Sequence, residues 1–195
     1  MQLTQTLESP SLAEWRKLLD DLYRDRKLWS FKRGETIPMN PEDVWVVYKG
    51  VVQLSTLYCS GDEGIVGLAS PCMPFGRAFT QVDPYEAIAL SECTLLRLHQ
   101  AELEQSPRLA QNLFRELTRR MQQTEALLAM SGCRRVKDRL RQLMTLLQQE
   151  LGQVTPTGVQ LTVKLTHHQL ASMIGTTRVT VTRLLSELKE EGLSI

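Results

Sequence analysis

Three residues near the C-terminus, Ala171, Gly175 and Val181, constrain this chain more than any other feature in it. The stretch that carries them reads THHQLASMIGTTRVTVTRLLSEL over residues 166–188. A small residue such as Ala171 lets two helices cross closely, and a glycine four positions on takes the left-handed turn between them. A branched residue six further on, Val181, closes the crossing angle. Leu170, Ile174 and Leu184 supply the other buried contacts at helical spacing. Thr166 with Gln169 forms a capping box for the first helix, and Thr177 is placed to cap the second. The pattern predicts a helix-turn-helix over residues near 166–191. An ordinary pair of core helices is the competing reading.

The outer face of the second helix separates the two. Arg178, Thr180, Thr182 and Arg183 are polar or cationic, and no local acid is expected to pair with them. In a helix-turn-helix the second helix enters the major groove by its N-terminal end. An arginine there donates two hydrogen bonds to guanine O6 and N7, worth about 1–3 kcal/mol of discrimination. Arg178 and Arg183 are therefore the expected base readers, and Val179 is the expected contact to a thymine methyl. Thr166, His167, Thr177, Thr180 and Lys189 are placed to hold phosphates and set register. His167 and His168 do not read as a metal site, because adjacent helical residues point about 100° apart.

Charge agrees with a nucleic-acid partner. Residues 134–195 carry nine Lys/Arg against five Asp/Glu, whereas residues 1–133 carry 14 against 17. A basic C-terminal module on an acidic body points mildly to DNA. The N-terminus has neither the basic start nor the apolar run of a secretory signal, and no stretch approaches the roughly 20 apolar residues that span a bilayer. Cys59, Cys72, Cys93 and Cys133 are scattered, with no C-x-x-C pair. They read as buried, inert thiols in a reducing cytoplasm, not as a disulfide framework or a zinc site.

The rest of the chain divides by texture. Residues 11–29 read as an amphipathic helix, with Ser11 and Glu14 as a capping box and Trp15, Leu18, Leu19, Leu22 and Tyr23 on one face. From Phe31 to Leu98, short apolar runs (Val44–Tyr48, Val51–Tyr58, Ile65–Leu68, Ala87–Leu90, Thr94–Leu98) alternate with turn signals, which predicts a β-sandwich or β-roll. Residues 100–131 form a long helical run broken near its start by Pro107. Leu109, Leu113, Phe114, Leu117, Met121 and Leu128 would cover the β-roll. Ala110, Leu113, Leu117, Arg120, Thr124, Leu127 and Ser131 fall on the 3–4 repeat of a coiled-coil seam, the expected homodimer contact.

Ser131-Gly132 reads as a hinge. Beyond it Val136, Leu140, Leu143, Met144, Leu146 and Leu147 make an amphipathic helix, Gly152–Gly158 a turn-rich link and Val159–Leu165 a short strand. The predicted fold is α+β. It places an N-terminal helix and antiparallel β-roll over 1–99, a dimerisation helix and hinge over 100–132, and a winged-helix-type DNA-binding domain over 133–195.

With a β-roll, a long dimer helix and a C-terminal IGTTRVTVTRLLSEL, the chain resembles the cyclic-AMP receptor and fumarate–nitrate regulator (Crp/Fnr) superfamily. Leu165–Leu185 and Leu117–Glu125 (LTRRMQQTE) are most similar to its cyanobacterial global-nitrogen-regulator branch. The resemblance implies a homodimeric transcription regulator that contacts RNA polymerase. It also implies a palindromic double-stranded DNA target similar to GTA-N8-TAC, with Arg178 on the guanine. The family normally adds a β-hairpin wing after the second helix. This sequence stops at Ile195, so the wing is expected to be truncated or absent.

The resemblance is looser at the effector. Cyclic-nucleotide binders of the family carry a Gly-Glu followed by Arg-Ser or Arg-Thr, whereas this chain has PFGRAFTQVDPYEAIAL; cyclic AMP is not expected. No cysteine cluster precedes Cys59, so an iron–sulfur site of the oxygen-sensing kind is not expected either. The nitrogen regulators sense 2-oxoglutarate, and the resemblance maps that site onto Phe75, Gly76, Arg120 and Glu125, with Arg77 standing in for a missing β-roll arginine. Arg120 and Thr124, polar on a seam where a simple dimer uses Leu or Ile, read either as facing a ligand or as register-setting or exposed positions. Two readings stay open: an altered 2-oxoglutarate site, or a regulator with no small effector. A ligand sensor with weak, non-specific DNA binding is the alternative function. No Ser/His/Asp arrangement, phosphate-binding glycine loop or metal spacing appears, so no catalytic residue is assigned and an enzyme is not expected.

Overall fold

Strand Asp43–Lys49 (β2) is apolar on both faces, and that fixes how the N-terminal half is layered. In the computed structural model, which describes residues 17, 19–21, 24 and 26–191 apart from 157, this strand lies inside a four-stranded antiparallel sheet. The sheet order is β1 (Leu28–Phe31), β7 (Cys93–His99), β2, β5 (Pro74–Phe75). A second sheet has the order β4 (Glu63–Ala69), β3 (Val52–Leu57), β6 (Glu86–Ala89). Because side chains alternate along a strand, Trp45 and Val47 point to one face of β2 and Val44 and Val46 to the other.

Trp45 and Val47 join Val52, Leu54, Met73, Phe75 and Leu95 in the core between the sheets. Trp29 and Phe31 meet the Trp45 ring edge-on, each at 5.9 Å, the arrangement aromatic quadrupoles favour. On the outer face Val44, Val46, Leu96 and Leu98 are covered by Leu19, Leu109 and Leu113. This is the expected β-roll, with each of the five predicted runs overlapping a strand. Two strands were not legible, β1 and the two-residue β5. The predicted helix over 11–29 is too long, since Leu28 and Trp29 pair with Leu96 and Leu95 in β1. Lys17, Leu19, Asp20, Asp21 and Arg24 are helical; Ser11, Glu14, Trp15, Leu18, Leu22 and Tyr23 lie outside the described residues.

Two helices follow, α1 (Gln100–Gln105) and α2 (Pro107–Ser131), broken where Pro107 occupies the first turn of α2. The two stripes of α2 are the reverse of the expected assignment in part. Leu113, Leu117, Arg120 and Leu127, expected on a coiled-coil seam, turn inward, Leu113 and Leu117 against the β-roll and Leu127 against the C-terminal core. Phe114, Met121 and Leu128, expected to cover the β-roll, are 72%, 55% and 71% exposed. Leu109, Leu113 and Leu117, expected on that face as well, do cover it.

After Gly132 the chain enters α3 (Val136–Leu151), whose Leu140, Leu143, Met144, Leu147 and Leu151 are buried. The expected link over 152–158 is instead one arm of a hairpin, β8 (Gly152–Thr155) with β9 (Gly158–Leu161). The expected strand over 159–165 ends at Leu161. Two helices complete the described chain, α4 (His167–Ile174) and α5 (Arg178–Glu190). Any wing would lie beyond Glu191, outside the described residues.

The C-terminal core does not close on itself. Val51, Leu68 and Leu90 of the β-roll share one buried cluster with Leu143, Leu170, Ala171, Val181 and Leu184. The thiols divide in the same way as their surroundings. Cys72 and Cys93 are buried, and burial pushes the Cys93 thiol above its ordinary range while its Sγ donates to the Val51 carbonyl at 3.3 Å. Cys59 is exposed on the β3–β4 turn and Cys133 half-buried, so the expectation of four buried thiols holds for two.

Candidate nucleic-acid interface

The angle between α4 and α5 is set by the residues singled out in the sequence. Gly175 adopts φ 61° and ψ 57° at the end of α4, and its N–H bonds to the Ala171 carbonyl. Ala171 is 2% exposed and Val181 fully buried, so both sit at the crossing. The Thr166 hydroxyl accepts from the Gln169 N–H, while Gln169 Oε1 accepts from the Thr166 N–H at 2.8 Å. Thr177 Oγ1 accepts from the Thr180 N–H at 3.2 Å. Each helix therefore starts on a satisfied cap.

Along α5 the buried residues Val181, Leu184 and Leu188 form one stripe. Arg178, Val179, Thr182, Arg183 and Lys189 are exposed on the other side. Val179 is 79% exposed although it is a branched apolar residue. Helical geometry puts Thr182 about 40° and Lys189 about 20° from Arg178, but Arg183 about 140° away. Arg178 and Lys189 thus share a face, roughly 16 Å apart along the axis.

The expectation of an unpaired outer face is corrected at Arg183, which forms an ion pair with Glu187 one turn on. Arg178 has no ion-pair partner among the described residues. Thr182 Oγ1 donates to the Arg178 carbonyl at 3.0 Å and lies 2.7 Å from His167 Nδ1. The hydroxyl has one proton and spends it on the carbonyl, so His167 donates through Nδ1. Thr180 is half-buried, its hydroxyl 2.9 Å from that of Thr177. Thr166 and His168 are exposed.

Acids in this region gather at the far end of α5, where cations of α3 hold Glu187 and Glu191. Lys137 Nζ pairs with Glu187 at 3.4 Å and Glu191 at 2.6 Å, and Arg141 Nη2 pairs with Glu191 at 3.0 Å. That leaves the N-terminal half of α5, where the helix dipole is also positive, without an acid on its surface. One cation that spacing does not reveal bears on this geometry: Arg139 of α3 donates to the Gly175 carbonyl at 3.4 Å. Nothing in its sequence context sets it apart from the arginines and lysine around it.

The residues expected at an effector site are less united. Phe75 is fully buried, and Gly76 passes so close to β2 that a Cβ there would stand 2.5 Å from the Asp43 carbonyl oxygen. Arg120 Nη1 donates to the Pro74 carbonyl at 3.1 Å, and its Nη2 lies 3.5 Å from the Tyr85 hydroxyl. Arg77 turns to Asp83 at 3.0 Å. Thr124 donates to the Arg120 carbonyl at 3.1 Å, and Glu125 is exposed on the outward side of α2. A cavity of about 310 Å³ lies elsewhere, against Leu19, Val47, Lys49 and Cys72. Among the described residues no group of His, Cys, Asp or Glu is arranged to hold a metal ion, and no helix is long and apolar enough to cross a membrane.

Comparison with known proteins agrees with this geometry. Residues 134–194 match the family model of the Crp-like helix-turn-helix domain. The chain is 35% identical over 175 residues to the global nitrogen regulator of Synechococcus elongatus, covering 84% of this chain and 79% of that one. It is similar to a solved transcriptional regulator of the CRP/FNR family from Thermus thermophilus, with a TM-score of 0.69 and 27% identity over 85% of this chain and 87% of that one. A cyclic nucleotide-binding domain containing protein from Listeria monocytogenes shares the fold, with a TM-score of 0.75 and 20% identity over 93% and 91% of the two chains.

Proposed function

The chain belongs to the Crp/Fnr family of transcription regulators, close to the global nitrogen regulators, and from that premise we propose that it reads a palindromic duplex as a cytoplasmic homodimer without a small effector. As a member of this family it is a DNA-binding regulator and not an enzyme.

The observation that carries base reading is the exposed tip of α5. Arg178 and Val179 protrude there, on a helix whose opposite side is buried at Val181, Leu184 and Leu188. Arg178 supplies the bidentate contact to guanine, and Val179 the apolar contact to a thymine methyl. Thr177 and Lys189 hold phosphates around it, whereas Thr166, whose hydroxyl donates to Gln169 Oε1 at 3.1 Å, and His167, committed through Nδ1 to Thr182, do so only by giving up those partners. Thr180 and Thr182 are engaged within the protein and serve first to hold their neighbours, and Arg183 reaches DNA only by leaving Glu187.

Dimerisation is supported by Phe114, Met121 and Leu128. They are uncovered at seven-residue intervals along one side of α2, the period that keeps a seam facing a partner helix. Two copies related by a two-fold axis would set their recognition helices about 34 Å apart, one turn of DNA. The same analogy gives RNA polymerase as the protein partner.

The effector-free reading rests on Arg120 and Arg77. Arg120 is already engaged by Pro74 and Tyr85, and Arg77 by Asp83. A dicarboxylate such as 2-oxoglutarate would have to displace those internal partners before it gained a cation. Calorimetry with 2-oxoglutarate and with cyclic AMP tests this, and heat from either ligand overturns it. An anisotropy titration with a GTA-N8-TAC duplex and a scrambled duplex tests the function itself. Equal affinity for the two would leave only the weak, non-specific binder.

A further inference from the structure

Arg139 sits in the first turn of α3 and grips two carbonyls that belong to different parts of the chain. Its Nη1 donates to the Cys133 carbonyl at 3.1 Å and its Nη2 to the Gly175 carbonyl at 3.4 Å. Cys133 lies in the hinge between α2 and α3, and Gly175 is the left-handed turn residue between α4 and α5. Its Nε is buried and has no partner among the described residues, so the guanidinium is held there by the Nη bonds and packing.

The chemistry of the two ends makes this bridge informative. A residue in the left-handed conformation takes its carbonyl out of the preceding helix ladder, so the Gly175 oxygen needs a donor from outside. The hinge end is held independently, because the Gln142 amide nitrogen lies 3.4 Å from Cys133 Sγ and the Cys133 N–H bonds to the Met130 carbonyl at 3.0 Å. A planar fork offers each carbonyl its own N–H in a fixed geometry, which a compact, rotatable ammonium does not reproduce. Arg178 follows Gly175 by three residues, so a shift of the turn is passed directly to the base-reading tip. Sites of this kind lose function when misplaced by about half an ångström.

We propose that Arg139 is a positioning residue for base reading: it clamps the helix-turn-helix turn to the hinge and thereby fixes where Arg178 meets the groove. This rests on the reading of α5 as the base-reading helix.

The full chain, Arg139→Gln and Arg139→Lys are titrated by anisotropy against the palindromic and scrambled duplexes over a series of salt concentrations. Arg139→Gln is expected to lose about tenfold in affinity for the palindrome. Its affinity for the scrambled duplex and its salt slope stay at the wild-type values. Arg139→Lys keeps the charge and one carbonyl and should fall between the two. A loss shared by both duplexes, with the salt slope reduced by about 1, would make Arg139 a phosphate contact and overturn the proposal. So would wild-type affinity in both variants. If Arg139→Gln loses its helical circular dichroism, the lysine variant decides alone, and wild-type discrimination in it refutes the clamp. A wild-type chain with no preference for the palindrome sinks the function itself, and the clamp with it; that outcome is read before any variant is compared.

Discussion

Gln169 Nε2 donates to Gln53 Oε1 at 3.0 Å, although the two residues are 116 positions apart. Gln169 is also the capping-box residue of α4, and Gln53 is a buried residue of β3 whose own Nε2 donates to Glu63 at 2.7 Å. The first helix of the DNA-binding unit is therefore gripped at its N-terminus by the β-roll. A second glutamine does the same for α2. Gln123 Oε1 accepts from the Leu68 N–H at 2.8 Å, and it reaches that close because Gly67 has no Cβ, which would stand 3.2 Å from it.

Base reading and phosphate holding separate by mutation. Arg178→Ala should cost about 1–3 kcal/mol in discrimination at the guanine while leaving the scrambled duplex bound as before. Lys189→Ala should weaken all sequences alike and lower the salt slope by about 1. Titrations at several salt concentrations distinguish the two, and a uniform loss for Arg178→Ala would show that it does not read bases.

Met121→Asp tests the outward stripe of α2. A charge on an apolar seam between two helices is buried without a partner, and the dimer dissociation constant should rise by more than about 100-fold. Because Met121 is 55% exposed in the single chain, the fold should survive with unchanged far-ultraviolet circular dichroism. Light scattering at micromolar concentration reports the mass. A dimer that persists removes the seam.

Glu116 makes a prediction about pH. Its side chain is buried between α2 and α3, and burial raises its pKa above the ordinary value of 4.5. Arg119 and Arg115 oppose that shift, and Glu150 adds to it. A raised value means that the folded chain holds a proton that the unfolded chain has released. Stability is accordingly lost as pH rises through the window from 4.5 to the raised value, and gained as pH falls. Glu116→Gln removes the buried charge and leaves Arg119 its bond to Glu150 at 2.9 Å. The variant should be more stable than the wild type near neutrality, with the advantage shrinking toward acid. Thermal melts at pH 5 and pH 7.5 check the sign.

Gly175→Ala isolates backbone strain from collision. Among the described residues no atom lies within 4 Å of where a Cβ at Gly175 would stand, so the loss should be the left-handed penalty alone, about 1–2 kcal/mol. Gly175→Asn should recover part of it, since asparagine visits this conformation more readily. Denaturant melts of the three chains order them. A loss well beyond that range would point to a collision.

The helix-turn-helix was legible because its determinants are local: caps, one turn glycine and two small or branched residues at fixed spacing along a short segment. The Arg183–Glu187 pair is equally legible from its i, i+4 spacing, although Arg183 was expected to be unpaired. The β-roll showed itself as apolar runs, but β1 hid because Leu28 and Trp29 extend the helical spacing of the preceding segment. β5 is too short to show a period. The two stripes of α2 could not be told apart from periodicity, which counts apolar faces without saying which one meets the chain's own β-roll. Arg139, Gln53 and Gln123 were invisible for the same reason, since each acts on a backbone group or side chain remote in sequence.

The apolar cluster that runs from Val51, Leu68 and Leu90 into Leu143, Leu170 and Leu184 bears on how the molecule can be handled. A fragment beginning near residue 134 would leave Leu143, Leu146 and Met173, which now face Leu68, open to water. Such a piece would be adhesive in solution and would stick to DNA and to itself for reasons unrelated to its sequence preference. The β-roll serves as the lid of its neighbour's core as well as a domain in its own right, and the two are expected to melt in a single transition.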